Sequence, residues 1–164
     1  YSSAASDVYK RQDKTGINGM LGGQSADVLN TGEIISDELL YYIYEKKTGA
    51  LIEGAMLTGS VLAGCNDEDL AKIKRVGELV GLAFQIKDDI LDIYGNEKEI
   101  GKPLHSDEKN NKKTYITING IEKSEHDIVV MSEEACDIVS SLGNDVEERD
   151  FIIKLIKYLT DRTY

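Results

Sequence analysis

The sequence predicts an all-α fold on three observations. Apolar residues recur at intervals of three and four along most of the chain. Residues that start helices stand in front of those runs. The one β-branched stretch, Thr114 to Asn119, has no second strand with which to pair, so a short helix entry is expected there.

Taken in order, the opening Tyr1 to Gln12, YSSAASDVYKRQ, has no periodicity and reads as a leader foreign to the fold or disordered, with one globular unit from residue 13 to 164. Ser36 is placed to cap a helix carrying Leu39, Leu40, Ile43, Leu51, Ile52, Ala55 and Met56, which should end near Gly64. Lys47-Thr48-Gly49 falls inside it. Glycine weakens a helix there by ~1 kcal/mol relative to alanine and threonine can bond back to the preceding turn, so a local kink is expected. Asn66 should cap a second long helix with Asp67, Glu68 and Asp69 in its first turn, where negative charge suits the dipole, running to about Tyr94 and stopping at Gly95-Asn96. A polar loop from Gly95 to about Lys113 holds the only proline, Pro103, and a loop of that length in a compact domain is functional or disordered. Two amphipathic helices close the chain, about Ser124 to Leu142 and Asp145 to about Arg162, the last with Phe151, Ile152, Leu155, Ile156 and Leu159 on one face.

The bulk numbers exclude several functions. At 164 residues the chain suits one core, and a formal charge of -11 repels nucleic acid in spite of Lys46-Lys47 and Lys112-Lys113. No apolar run approaches the ~20 residues of a membrane span, and no basic-then-apolar leader opens the chain, so neither insertion nor secretion is expected. Cys65 and Cys136 lack metal-ligand spacing and read as reduced, buried thiols of a cytoplasmic protein.

The sharpest chemical feature is Asp88-Asp89-Ile90-Leu91-Asp92 after Phe84-Gln85. Asp88 and Asp92 lie one helical turn apart, with Asp89 beside them, and like charges so placed destabilise a helix. A divalent cation would reverse that cost. Hard oxygen ligands that leave room for water and phosphate suit magnesium. A solvated acidic patch is the bland alternative, and Phe84, Ile90 and Leu91 at core spacing favour an apolar-walled cleft. A kink at Gly49 would turn Lys47 and Thr48 into the same cleft; otherwise Lys47 is an exposed lysine beside a packing glycine. His105 and His126 are isolated and read as incidental.

Gly19-Met20-Leu21-Gly22-Gly23-Gln24 with Asp27, then Lys47-Thr48-Gly49, Phe84-Gln85-x-x-Asp88-Asp89-x-x-Asp92, Gly101-Lys102-Pro103 and Asn111-Lys112-x-Thr114-Tyr115, resemble in this order the farnesyl and geranylgeranyl diphosphate synthases, the trans-isoprenyl diphosphate synthases. The resemblance runs from about Gly16 to the C-terminus. It implies the C-terminal portion of the isoprenoid synthase helical bundle, and residues 13–164 as the C-terminal part of a single prenyltransferase domain. It also implies short-chain prenyl transfer. An allylic diphosphate ionises, isopentenyl diphosphate attacks the carbocation, and a proton leaves.

By the same resemblance Asp88 is the principal Mg2+ ligand, with Asp89 and Asp92 acting directly or through metal-bound water. Lys47 and Lys102 hold the allylic diphosphate, and Thr48 and Gln85 line the reacting centre next to Phe84. Gln24 and Asp27 form a supporting polar layer, and Lys112 and Tyr115 stand near the mouth. The full-length protein is expected to be a homodimer. The family's other aspartate-rich motif and its Gly-Lys-Arg segment for isopentenyl diphosphate do not occur in this sequence. The chain alone is therefore expected to be inactive. The rival readings are a non-catalytic helical subunit that binds a complete synthase, and a terpene cyclase fragment.

Overall fold

The computed structural model describes residues 11–95, 104, 107, 112–143 and 146–163, and these contain helices and no strand. In chain order they are α1 (Met20–Leu29), α2 (Asp37–Tyr44), a π-helical turn (Glu45–Gly49), α3 (Ala50–Leu62), α4 (Asp67–Tyr94), α5 (Tyr115–Asn119), α6 (Ile121–Ser140) and α7 (Val146–Asp161). The expected starts are present. The Ser36 hydroxyl accepts from the Leu39 amide at 3.2 Å, and the Asn66 side chain accepts from the Asp69 amide at 2.9 Å. Thr114 and Thr117 bond reciprocally, each hydroxyl accepting from the other's amide, at 3.3 and 3.0 Å. That box turns the β-branched stretch into the short helix α5.

Four details differ from the sequence expectations. Residues 11–15 form a helical turn, and the Gly16 amide donates to the Gln12 carbonyl at 2.8 Å, so residues 11 and 12 are continuous with the chain leading into α1. One turn is too short to show a periodicity; residues 1–10 lie outside the described residues. Helix α6 starts at Ile121 rather than at Ser124, whose hydroxyl bonds back to the Gly120 carbonyl at 2.7 Å instead of capping. On α7 the buried stripe is Ile156 and Thr160, flanked by half-buried Ile152 and Leu159, while Phe151 and Leu155 are exposed. Leu155 sits about 100° round the helix from Ile156 and Phe151 about 140°, on the side away from the buried row. Both cysteines are free and only half-buried.

Helix α4 is the axis of the assembly, packing against α3, α5, α6, α7 and the π turn. Its two halves serve two cores. Val76, Leu79 and Val80 pack with Ala135, Val139 and Ile156, and Ala83, Ile86 and Ile90 pack with Leu40, Ile43, Tyr44, Tyr115 and Ile128. Fully buried leucine or isoleucine side chains such as Leu40 and Ile86 each stabilise by roughly 1.5–3 kcal/mol. The second core lies directly behind the aspartates.

The π turn takes the place of the kink expected at Lys47-Thr48-Gly49, and glycine lets two helices close on it. A Cβ on Gly81 of α4 would stand 2.5 Å from the Gly49 Cα, and one on Gly23 of α1 would stand 2.3 Å from the Lys47 amide nitrogen. Both distances are shorter than any side chain permits, so α1 and α4 clasp the turn backbone to backbone. The clasp sets Lys47 and Thr48 between them.

Candidate active site

The aspartates of α4 diverge. Asp88 is the accessible member, its side chain 40% exposed. Its Oδ2 accepts from the Gln85 side-chain Nε2 at 3.3 Å and its Oδ1 from the Arg162 guanidinium at 2.5 Å. Arg162 also lies 3.7 Å over the Phe84 ring and donates to the Phe84 carbonyl at 3.2 Å. Asp89 is turned inward, where its Oδ2 accepts from the Tyr44 hydroxyl and, at 3.0 Å, from the Tyr115 amide. Burial pushes the Asp89 carboxyl up to about 7, against the opposing effect of those two donors. Burial, then the adjacent carboxylate, raises the Tyr44 phenol. Asp92 is 1% exposed and accepts from the Asp107 amide at 3.1 Å. Asp88 and Asp92 share a helical face, but the Asp107 amide meets Asp92, which is buried.

No group of three or more carboxylate, imidazole or thiol ligands at metal-holding distance occurs among the described residues. The donor chemistry fits a hard cation at one partly exposed carboxylate, with its remaining oxygens supplied from outside the chain.

A basic pair is held by one acid. Lys47 from the π turn lies 2.6 Å from Asp27 Oδ2, and Lys112 lies 3.0 Å from Asp27 Oδ1. Lys112 is also 3.8 Å from Asp107, the residue whose amide serves Asp92. Asp27, Lys47, Lys112, Asp107 and Asp92 thus form one continuous polar chain from α1 to the end of α4. Burial pushes the Asp27 carboxyl up, but the hydrogen bonds and charges of the two lysines outweigh it and hold the group below the usual carboxylate range. Burial lowers the Lys112 ammonium, and Asp27 more than restores it. Thr48 is half-buried in the π turn, and Gln24 is half-buried one helical turn before Asp27. Lys102 lies outside the described residues.

Two participants carried no legible sequence signal. Arg162 is 74 residues from Asp88 and ends an otherwise ordinary amphipathic helix. Tyr44 is 45 residues from Asp89 and reads from the sequence as one more apolar position on α2. Only the fold reveals either pairing.

The profile of the polyprenyl synthetases matches residues 10–154. The chain belongs to the polyprenyl synthetase family. Among curated relatives, this polyprenyl synthetase chain is 37% identical over 141 residues to a geranylgeranyl diphosphate synthase of Cyanophora paradoxa, covering 83% of the chain and 47% of the relative. It is 33% identical over 149 residues to the farnesyl diphosphate synthase of Bacillus subtilis, covering 91% and 49%. A crystal structure of a Helicobacter pylori geranyltransferase complexed with magnesium and isoprenyl diphosphate superposes with a TM-score of 0.77 at 25% identity, over 94% of this chain and 50% of that one. The polyprenyl synthetase chain therefore spans about half the length of the curated relatives it matches. No helix among its described residues is long and apolar enough to cross a membrane.

Proposed function

We propose that this chain holds the departing diphosphate in a short-chain prenyltransferase that condenses an allylic diphosphate with isopentenyl diphosphate in the cytoplasm. The observation that carries the reading is the pair of lysines, from distant segments of the sequence, gathered on Asp27 and linked through Asp107 to Asp92 of α4. A diphosphate offers more negative charge than one carboxylate. Lys47 and Lys112 exchange Asp27 for phosphate oxygens, and Asp27 meanwhile keeps both ammonium groups charged and aimed. Lys102, which lies outside the described residues, adds a further cation.

Asp88 holds the metal, which when bound supplies Lewis-acid stabilisation of charge on the leaving oxygens. Magnesium is the fitting ion, since one carboxylate plus substrate phosphates is its habitual arrangement. Asp89 and Asp92 act behind it. Asp89 fixes the junction of α2, α4 and α5, and Asp92 anchors the segment that carries Lys112. Gln85 orients the Asp88 carboxylate, and Thr48 and Phe84 present a weak dipole and an aromatic face to the developing cation. Gln24 supports Asp27 from the preceding turn, and the full-length protein acts as a homodimer.

The test is calorimetric binding of a prenyl thiodiphosphate, which cannot ionise readily, to the purified chain with Mg2+. Binding is expected, weakened on the order of tenfold or more by Lys47→Gln and by Asp88→Asn, each removing a charged partner. Equal binding by these variants, or none by the wild type, overturns the assignment. The chain alone, which contains neither the other aspartate-rich motif nor the Gly-Lys-Arg segment, is expected to form no product from both substrates. Product formation would refute that part.

A further inference from the structure

The guanidinium of Arg162 occupies the carboxylate that the proposed function assigns to the metal, and the inference rests on that assignment. Its side chain is 15% exposed, stacked on Phe84, with one nitrogen shared between the Phe84 carbonyl and Asp88 Oδ1. The Nε–H of the same guanidinium is buried with no hydrogen-bond partner. A guanidinium at an aromatic face with one buried donor unmet is not in its most stable setting, because an unpaired buried donor costs free energy. The ion pair with Asp88 holds it there.

We propose that Arg162 is a positioning residue that serves as the internal counter-ion of Asp88 while no metal is bound, and leaves the carboxylate when a divalent cation takes it. Two cations on one carboxylate repel strongly in a partly buried site. Gln85 holds the other oxygen of Asp88, so the side chain keeps its direction while Arg162 departs. In the metal-free protein the pair spares Asp88 an unpaired charge beside an apolar core. Release of Arg162 frees the end of α7, so metal loading is coupled to the last turn of the chain. The device raises the threshold for metal binding.

The test uses the chain itself in two measurements. Free Mn2+, followed by electron paramagnetic resonance, should bind the wild type more weakly than Arg162→Gln, by on the order of tenfold for removal of a neighbouring like charge. Asp88→Asn should abolish binding in either background, and Arg162→Lys should restore an affinity nearer the wild type. In the second measurement, which needs no variant, the Nε–H resonance of Arg162 should be protected from solvent exchange without metal and lose that protection as Mg2+ is titrated in. Asp88-dependent binding with unchanged or lower affinity in Arg162→Gln overturns this proposal and leaves the metal assignment standing, as does a protected Nε–H at saturating Mg2+. No Asp88-dependent binding in any form overturns both.

Discussion

The Tyr44 hydroxyl donates to the carboxylate of Asp89 across the junction of α2 and α4, and the Tyr115 amide of α5 completes the same acceptor. Three helices distant in sequence meet at one oxygen. Asp89 is therefore the mortise of the core behind the site, and its neighbour Asp88 inherits a fixed helix on which to stand.

Removing the phenol tests that joint. Tyr44→Phe keeps the ring in the core but leaves Asp89 with one donor, and a lost hydrogen bond to a buried carboxyl costs about 1–3 kcal/mol. Urea unfolding of the chain at neutral pH should show a loss in that range. A change below about 0.5 kcal/mol would mean that the bond contributes nothing beyond what water supplies.

Asp27 predicts a pH dependence. Its carboxyl is held below its ordinary value of 3.8, so it binds protons less readily folded than unfolded. Its contribution is therefore fully present above that value and is lost as pH falls through the lower, folded value. Asp27→Asn should be less stable than the wild type at neutral pH. The gap between their urea midpoints should narrow only below about pH 4. A gap that is constant down to about pH 2 would show that the lysine contacts contribute no net stability.

The clasp on the π turn predicts opposite signs at two glycines. Gly81→Ala must push a methyl into the Gly49 backbone, where nothing flexible can yield, at a cost of about 1–3 kcal/mol. Gly59→Ala on α3 meets nothing within 4 Å and should stabilise by about 0.5–1 kcal/mol through lost freedom of the unfolded chain. Thermal melts of the two variants decide it, and equal effects would remove the case for a backbone clasp.

Most of the helical frame was legible because its signals are local. Ser36, Asn66 and Thr114 each cap within three residues, and the apolar runs behind them need no partner to be recognised. The break at Lys47-Thr48-Gly49 was also legible from glycine and threonine chemistry, though not that it takes the form of a π turn. The stripe on α7 was read two residues too wide, taking in Phe151 and Leu155, since the period alone does not place the centre of the stripe without knowing where α4 and α6 lie. Within the site, residue types and spacing marked the aspartate cluster and the kink that carries Lys47, and the family resemblance marked Gln85 and Lys112. Orientation was beyond them: nothing in Asp88-Asp89-Ile90-Leu91-Asp92 distinguishes a carboxylate that faces solvent from one that anchors Tyr44, or shows that Arg162 arrives from the far end of the chain.

The π turn also acts as a vernier between two halves of one helical rod. A turn of this kind is an α-helix carrying one surplus residue, and that residue advances everything before it by about 100° relative to everything after. Upstream, Leu40, Ile43 and Tyr44 face the core behind the aspartates; Gly49 is buried at the end of the turn, and downstream Ala50 and Leu57 are buried on the continuation of the same rod. With the surplus residue gone, the rod would be straighter, yet Tyr44 and Gly49 could no longer both keep their appointments with α4. The odd residue in Glu45–Gly49 is thus what allows a single length of chain to read two differently phased partners.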